Sequence, residues 1–293
     1  MNHPLVSILM PSYNAANFLA EAIESVLQSH YTNWELIIVD DKSKDSTLAI
    51  AKIYEQKESR ITVYKNDKNL GDYQNRNKAA SYAKGKYIKY LDNDDIIYKY
   101  SLNYMVEAME IFPNAALALG FIKVDDNRPY PQLYLPKETF REQYLGIGFL
   151  GYGPSAAIIR KECFDLIGGF SGMAFLGDQE LWLRLSFQFP VIKLQPSLVW
   201  YRRHENQEST REINDWKSSN RRYHLTIDFL NKSSFFFNEA EFQMGLKKIK
   251  RNHARNILNM LFKSKKRRHA INLWRVSGLT IKELLYGLKP YIQ

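Results

Sequence analysis

Three short polar clusters hold the residue types that could do chemistry: Pro11-Ser12-Tyr13-Asn14, Asp40-Asp41 and Asp92-Asn93-Asp94-Asp95. Acid-x-acid at a strand end projects carboxylates from alternating positions into a loop that must turn. That presents oxygen ligands for a hard divalent cation, and Mg²⁺ or Mn²⁺ suits one or two carboxylates completed by phosphate oxygens and water. The ring of Tyr13 beside Asp41 offers a stacking face and a hydrogen-bond acceptor, which together fit a nucleobase with an N–H donor. Arg76, in NLGDYQNRNKAA, is a cation placed to meet a phosphate or a nucleobase edge. Taken singly, each cluster also has a structural reading, as helix cap, turn or solvated loop. Capping does not require carboxylates to converge on one cleft, so their position on one pole of one sheet favours a ligand site.

The elements that would position them alternate. LVSILM (5–10), ELIIVD (35–40), ITVYK (61–65), KYIKYLD (86–92) and AALALGFIKV (115–124) read as buried parallel strands. Leu19, Ala22, Ile23, Val26 and Leu27 form one apolar helical stripe between the first two, and similar stripes lie in 45–57, 73–84 and 98–112. The pattern predicts an α/β fold, an open, mostly parallel sheet flanked by helices, with ligands beyond the carboxyl ends of the strands. After 124 come a Pro-rich loop, a short helical piece and GIGFLGYGP (146–154). That segment contains G-x-G-x-x-G, but it follows a helical pattern and runs into Pro154, so it is not read as a dinucleotide site. A strand SAAIIR, helices KECFDLIGGF and DQELWLRLSFQF and a strand leading to VWYRRHE follow, and from about Glu212 the chain reads as all helical.

With 293 residues, 45% hydrophobic and 25% charged, the chain is neither disordered nor fibrous. Its one cysteine, Cys163, excludes a disulfide framework, and a reducing compartment is the default. No apolar run reaches the length of a spanning helix and the start lacks a leader pattern, so a cytoplasmic protein is expected, with at most peripheral contact at the inner face of the membrane. The net charge of +10 is uneven: 247–293 hold 13 Lys and Arg against one acid, leaving 28 basic and 30 acidic residues elsewhere. A near-neutral body carries a basic tail.

The stretches VSILMPSYNAANFLAEAIESVLQSHYTNWELIIVDDKSKDST, NLGDYQNRNKAASYAKGKYIKYLDNDD, IIRKECFDLIGGF, GDQELWLRL and YRRHENQES resemble family 2 glycosyltransferases of the GT-A fold. The resemblance implies a GT-A domain over 1–211, with a donor and metal half at 1–125 and an acceptor and base half at 126–211, followed by a basic helical extension at 212–293. It makes Asp94 the direct metal ligand and Asp92 the residue facing ribose or metal. Asp41 would bind the uracil imide, Tyr13 would stack on the ring and Pro11 would border it, and Arg76 would support the nucleotide. Arg202 and Arg203 would close on the diphosphate, with His204 completing the metal shell. The family's Glu-Asp pair stands here as Gly177-Asp178, which leaves Asp178 as the catalytic base and Glu180 as the weaker candidate. Lys42 and Lys44 read as solvated charges.

The implied reaction is Mn²⁺- or Mg²⁺-dependent transfer of a hexosyl or N-acetylhexosaminyl group from a UDP-sugar to a hydroxyl of a glycan or lipid-linked saccharide, in bacterial surface polysaccharide synthesis. One base and no evident nucleophile imply single displacement with inversion. A sugar-nucleotide pyrophosphorylase would want a glycine-rich basic loop after strand one, where this chain has PSYNAANF. A non-catalytic binding protein using the basic tail would have no need of the metal motif. The tail pairs apolar stripes, Ile257, Leu258, Leu261 and Phe262, with KSKKRR and suits either packing on the body or an anionic membrane surface. It lacks a nucleic-acid motif.

Overall fold

The computed structural model describes residues 3–120, 128–204, 215–264 and 266–289. It divides into two compact units. One comprises residues 1–139, 149–173 and 177–203, and the other 140–148, 174–176 and 204–293. The helical unit thus begins earlier than residue 212 and takes two short segments from within the first 200 residues. The boundaries expected at 125 and 211 fall outside the described residues.

The first unit is built on an eight-stranded sheet. Its strands are β1 (Val6–Ser12), β2 (Trp34–Asp40), β3 (Ile61–Lys65), β4 (Tyr87–Tyr90), β6 (Leu117–Gly120), β7 (Gln132–Tyr134), β8 (Ala157–Arg160) and β9 (Val191–Leu194), in the order β3-β2-β1-β4-β8-β6-β9-β7. β5 (Ile96–Ile97) and β10 (Val199–Trp200) form a separate antiparallel pair. β1, β2 and β4 are mostly apolar because both faces are covered, and all but one of their residues are buried. The helices are α1 (Leu19–Leu27), α2 (Thr47–Lys57), α3 (Asp72–Tyr82), α4 (Ser101–Ile111), α6 (Lys161–Leu166) and α7 (Gly177–Gln188), with α5 (Pro136–Tyr144) running into the second unit. The α1 stripe buries Leu19, Ala22, Ile23 and Val26 as its spacing predicts. α6 stops where Gly168 and Gly169 take positive φ, a conformation that ends a helix.

All five predicted strands run in one direction, but the fifth is not beside the fourth. β8 pairs antiparallel with both β4 and β6 and separates them. Part of the expected Pro-rich loop is strand β7, paired antiparallel with β9. Residues 121–124 of the fifth predicted strand lie outside the described residues.

The second unit contains α8 (Trp216–Lys232), α9 (Glu239–Phe262), α10 (Arg267–Ser277) and α11 (Ile281–Tyr286). Capping boxes start two of them, Asn238 with Glu241 on α9 and Thr280 with Glu283 on α11. The stripe predicted at 257–262 is mostly turned inward: Ile257 and Leu258 are buried, while Phe262 is 75% exposed. Trp274 donates its indole N–H to the Leu279 carbonyl at 2.8 Å, so it is tied within this unit. Ile281, Leu285 and Leu288 are the exposed apolar residues of the last helix and the turn after it.

His253 is buried and stacks on Tyr223 with ring centroids 4.1 Å apart, and its Nε2 has no hydrogen-bond partner. Burial, with His224 nearby, lowers its pKa to about 4. The unfolded chain then binds the proton first, so this contribution to stability is complete above about pH 6.5 and is lost as pH falls towards 4. Urea unfolding should show wild-type protein losing about 2–3 kcal/mol more than His253→Phe between pH 7 and pH 4.5. Parallel pH profiles for the two proteins would refute the assignment.

Candidate active site

The strand order 3-2-1-4 reverses direction at β1, and in open α/β sheets the crevice at such a switch point receives the ligand. Pro11 helps open it. The β1–β4 ladder ends at Leu9, and Leu91 N–H donates to the Leu9 carbonyl. Ser12 faces β2, accepting from Asp41 N–H, so by alternation Pro11 faces the side where β4 has turned away. Its missing N–H costs nothing there, and the Asn93 amide caps its carbonyl at 2.9 Å. Tyr13 follows with its side chain 45% exposed. The turn beyond it is fastened to the β2–α2 loop: Asn14 at φ 51 accepts from Lys44 N–H at 2.8 Å, and its own N–H donates to Ser43 Oγ at 2.9 Å.

Asp41 is 2% exposed. Its Oδ1 accepts from Asn66 Nδ2 and from Leu70 N–H, both at 2.8 Å, and its Oδ2 accepts from Gly71 N–H at 2.9 Å. A carboxylate has about four lone-pair directions, so three donors leave one for a ligand. Asn75 holds the arrangement from behind, accepting from Asn66 Nδ2 at 2.8 Å and donating to the Val39 carbonyl at 3.0 Å. Gly71, at φ 84 and ψ 165, occupies a region open to glycine, which is what aims its N–H at Asp41.

In the acid loop, Arg76 lies buried between Asp72, with Nε–Oδ1 at 3.0 Å, and Asp92, with NH1–Oδ1 at 2.8 Å. The Asp92 contact is a close charge pair off the hydrogen-bond direction. Burial opposes the charge on Arg76, and Asp72 and Asp92 outweigh it. Lys89, wholly buried on β4, donates to the Tyr90 carbonyl at 2.8 Å and to the Ser155 carbonyl. Burial pulls its pKa down to about 7 against the pull of Asp92 and Asp95. Asp95 is pushed up to about 8 by burial and then by Asp92 and Asp94, against hydrogen bonds from Ser155 and the Arg202 N–H. Arg202 donates Nε to the Asp94 carbonyl at 3.0 Å, pairs with Glu21, and lies over the rings of Phe18 and Trp200. Its side chain therefore fixes the backbone of Asp94.

Asp178 is half-buried in the first turn of α7, and its Oδ1 accepts from Gln179 N–H at 2.7 Å. Glu180 is buried and bonded through both oxygens to Arg184, at 2.7 and 2.9 Å. Arg184 also donates to the carbonyls of Ile167 and Gly169, so Glu180 is part of a structural lock. A Cβ at Gly177 would lie 2.7 Å from ring carbons of Tyr73, one residue into α3. That ring fills the place next to Asp178 where the resemblance led one to look for a second carboxylate.

The acid loop, Tyr13, Asp41, Arg76, Arg202 and Arg203 therefore belong to one unit with Asp178, while His204 begins the other. Sequence reasoning missed Asn66, Asn75, Lys89 and Ser155. The first two had a legible signal, since asparagine amides flanking NLG can pair with a buried acid. Among the described residues, no group of three or more His, Cys, Asp or Glu side chains is placed to hold a metal by itself.

A mixed sheet with acid loops beyond its β2 and β4 ends and a carboxylate at the start of α7 has the GT-A fold of glycosyltransferases. The chain belongs to glycosyl transferase family 2, whose profile matches residues 7–168, more than half of it. It is 42% identical over 118 residues to the putative teichuronic acid biosynthesis glycosyltransferase TuaG of Bacillus subtilis, covering 40% of this chain and 46% of that one. To the UDP-Glc:alpha-D-GlcNAc-diphosphoundecaprenol beta-1,3-glucosyltransferase WfgD of Escherichia coli it is 42% identical over 134 residues, 42% of this chain and 52% of that one. The chain thus spans about half the length of these two relatives. Among solved structures, S. aureus TarS 1-349 with UDP-GlcNAc aligns at TM-score 0.66 and 20% identity, over 92% of this chain and 79% of that one. The Pyrobaculum calidifontis mannosyltransferase PcManGT with GDP-Man and Mn²⁺ aligns at TM-score 0.64 and 13% identity, over 97% and 79%.

Because Asp41 satisfies one buried donor and two part-buried ones, Asp41→Ala should lower unfolding stability by about 1–3 kcal/mol, the order of stranding a buried donor. Tyr13→Ala, at an exposed ring, should change it by less than about 0.5 kcal/mol. Urea unfolding of both checks this, and equal stability of Asp41→Ala and wild type would contradict the network.

Proposed function

We propose that the protein is a metal-dependent, inverting glycosyltransferase that moves a sugar from a UDP-sugar to a hydroxyl of a saccharide or lipid-linked acceptor in bacterial surface polysaccharide synthesis. The observation that carries this reading is the pairing of exposed Tyr13 with buried Asp41, whose one remaining acceptor direction suits an imide N–H, on the same pole as the acid loop. The names of TuaG and WfgD, and the UDP-GlcNAc bound to TarS, support the donor and pathway class.

The acid loop fits a divalent cation. Asp95 is pushed upward first by burial and then by the negative charge of Asp92 and Asp94, and a cation at the loop would offset that charge. On the resemblance Asp94 would be the ligand and His204 would join it, while Asp92 is held by Arg76. When bound, the cation supplies positive charge against the departing diphosphate. Arg76 and Arg203 add cationic charge on the nucleotide side, and Pro11 and Asp92 border the nucleoside. Asp178 accepts the proton of the attacking acceptor hydroxyl, since Glu180 is spent on Arg184. One base acting on a hydroxyl opposite the leaving group inverts the anomeric centre.

The helical unit supports attachment to an anionic membrane surface. Ile281, Leu285 and Leu288 recur at i, i+4 and i+7 with exposed Lys282 and Lys289 beside them. No helix among the described residues is long and apolar enough to cross a membrane.

Release of UDP from UDP-sugars should require Mn²⁺ or Mg²⁺ and be nearly abolished in Asp94→Asn. Asp178→Asn should keep UDP affinity while losing transfer by about 10²–10⁴-fold, and Glu180→Gln should lose stability rather than turnover. Full activity in chelator would sink the metal reading, and a dead Glu180→Gln beside a normal Asp178→Asn would move the base. Sedimentation with vesicles containing anionic lipid should capture the wild type at low salt and fail for Leu285→Glu/Leu288→Glu. Absence of wild-type capture would remove the membrane reading.

A further inference from the structure

Lys89 is the charged residue of strand β4, and it is wholly buried in the sheet. Taking an ammonium out of water opposes folding, whereas a methionine of similar length would fill the same space without that penalty. The reason for a lysine here therefore lies in what its ammonium holds. It donates to the Tyr90 carbonyl at 2.8 Å and to the Ser155 carbonyl.

Ser155 stands in the turn Pro154–Ala156 that leads into β8, the strand paired antiparallel with β4. It is itself wholly buried, and its hydroxyl is used twice. Oγ accepts Asp92 N–H at 2.9 Å and donates to the Asp95 carboxylate. Asp95 N–H in turn donates to the Asp92 carbonyl at 3.0 Å, which closes the backbone around Asn93 and Asp94. A continuous path thus runs from the Lys89 ammonium, through one serine, to both ends of the acid loop. Hydrogen bonds from a charged donor are roughly twice as strong as neutral ones, so the ammonium clamps the serine where an apolar side chain would merely pack beside it.

We infer that Lys89 is a positioning residue for sugar transfer: its ammonium fixes Ser155, and Ser155 fixes the acid loop in the shape that meets the nucleotide-sugar. The inference rests on the transfer reaction proposed above. Lys89 is covered on all sides and touches neither donor nor acceptor, so its effect passes through the serine.

The test uses the full chain and three variants. Lys89→Met keeps the length and removes the donor, Ser155→Ala keeps the carbonyl and removes the hydroxyl, and the third combines them. Amide hydrogen exchange is followed in peptides covering 91–97, the acid loop, and 34–40, strand β2. Turnover is followed as kcat/KM for the UDP-sugar that the wild type uses best. Each single variant should speed exchange of 91–97 by about ten-fold or more, leave 34–40 unchanged, and lower kcat/KM by about ten-fold or more. Because both residues act along one path, the double variant should fall within about two-fold of the weaker single variant. Wild-type exchange and turnover in Lys89→Met, or losses that multiply in the double variant, overturn the inference and leave the transferase reading intact. Exchange that quickens equally in both peptides also overturns it, by marking Lys89 as a general core residue. Ser155→Ala with wild-type exchange and turnover overturns it whether or not Lys89→Met folds. A wild type that releases no UDP from any UDP-sugar overturns both readings.

Discussion

Charge crowding at one pole of the sheet is the constraint on which the site depends. Two like charges about 4 Å apart repel by about 4 kcal/mol at an effective dielectric of 20, so a loop carrying Asp92, Asp94 and Asp95 cannot be left to find its own shape. The chain answers with cations from three directions. Arg76 takes Asp92 from α3, Lys89 lies beneath the loop on β4, and beyond β10 the Arg202 guanidinium donates to the Asp94 carbonyl while its backbone N–H donates to the Asp95 carboxylate. Burying Lys89 disfavours its charged form, as its lowered pKa shows, and the neighbouring acids are what keep the fold from expelling it.

The same division between holding and touching runs through the nucleotide side. Asp41 spends three acceptor directions on Asn66, Leu70 and Gly71, and thereby fixes the loop that leads into α3 and so to Arg76. Tyr13, by contrast, contributes little to the core. Tyr13 stays partly exposed, whereas Asp41 and Asn75 behind it are buried in a hydrogen-bond network. Glu180 and Asp178 repeat the pattern on α7, one locked to Arg184 and the other half-open.

Periodicity made the strands, most helices and the pole carrying the acids legible, because a parallel sheet buried on both faces leaves continuous apolar runs. Direction was legible for the same reason, whereas pairing was not: β8 sits between β4 and β6 through contacts distant in sequence. The very short strands β5 and β7 carry too few residues to set a period. Lys89 shows the limit for the site. Nothing in KYIKYLD shows what a lysine in a buried strand would bind, and only the arrival of Ser155 from elsewhere in the chain gives its ammonium a second carbonyl beside that of Tyr90. Arg202 likewise read as a phosphate ligand, since its partners Glu21, Phe18 and Trp200 come from separate parts of the chain.

Gly177 is the sharpest case of a residue whose meaning lies in its neighbour. Read along the chain, it is a carboxylate lost from a Glu-Asp pair. In space it is the floor for the Tyr73 ring, which lies so close that any Cβ would have to displace it, and Tyr73 packs in turn on Phe170 at 5.2 Å. Tyr73 follows Asp72, the residue that grips Arg76, so enlarging position 177 would press on the turn that holds the guanidinium against Asp92. The glycine therefore couples the start of the Asp178 helix to the start of the Arg76 helix through one ring. On the same turn both oxygens of Glu180 are committed to Arg184, while Asp178 accepts from the Gln179 N–H.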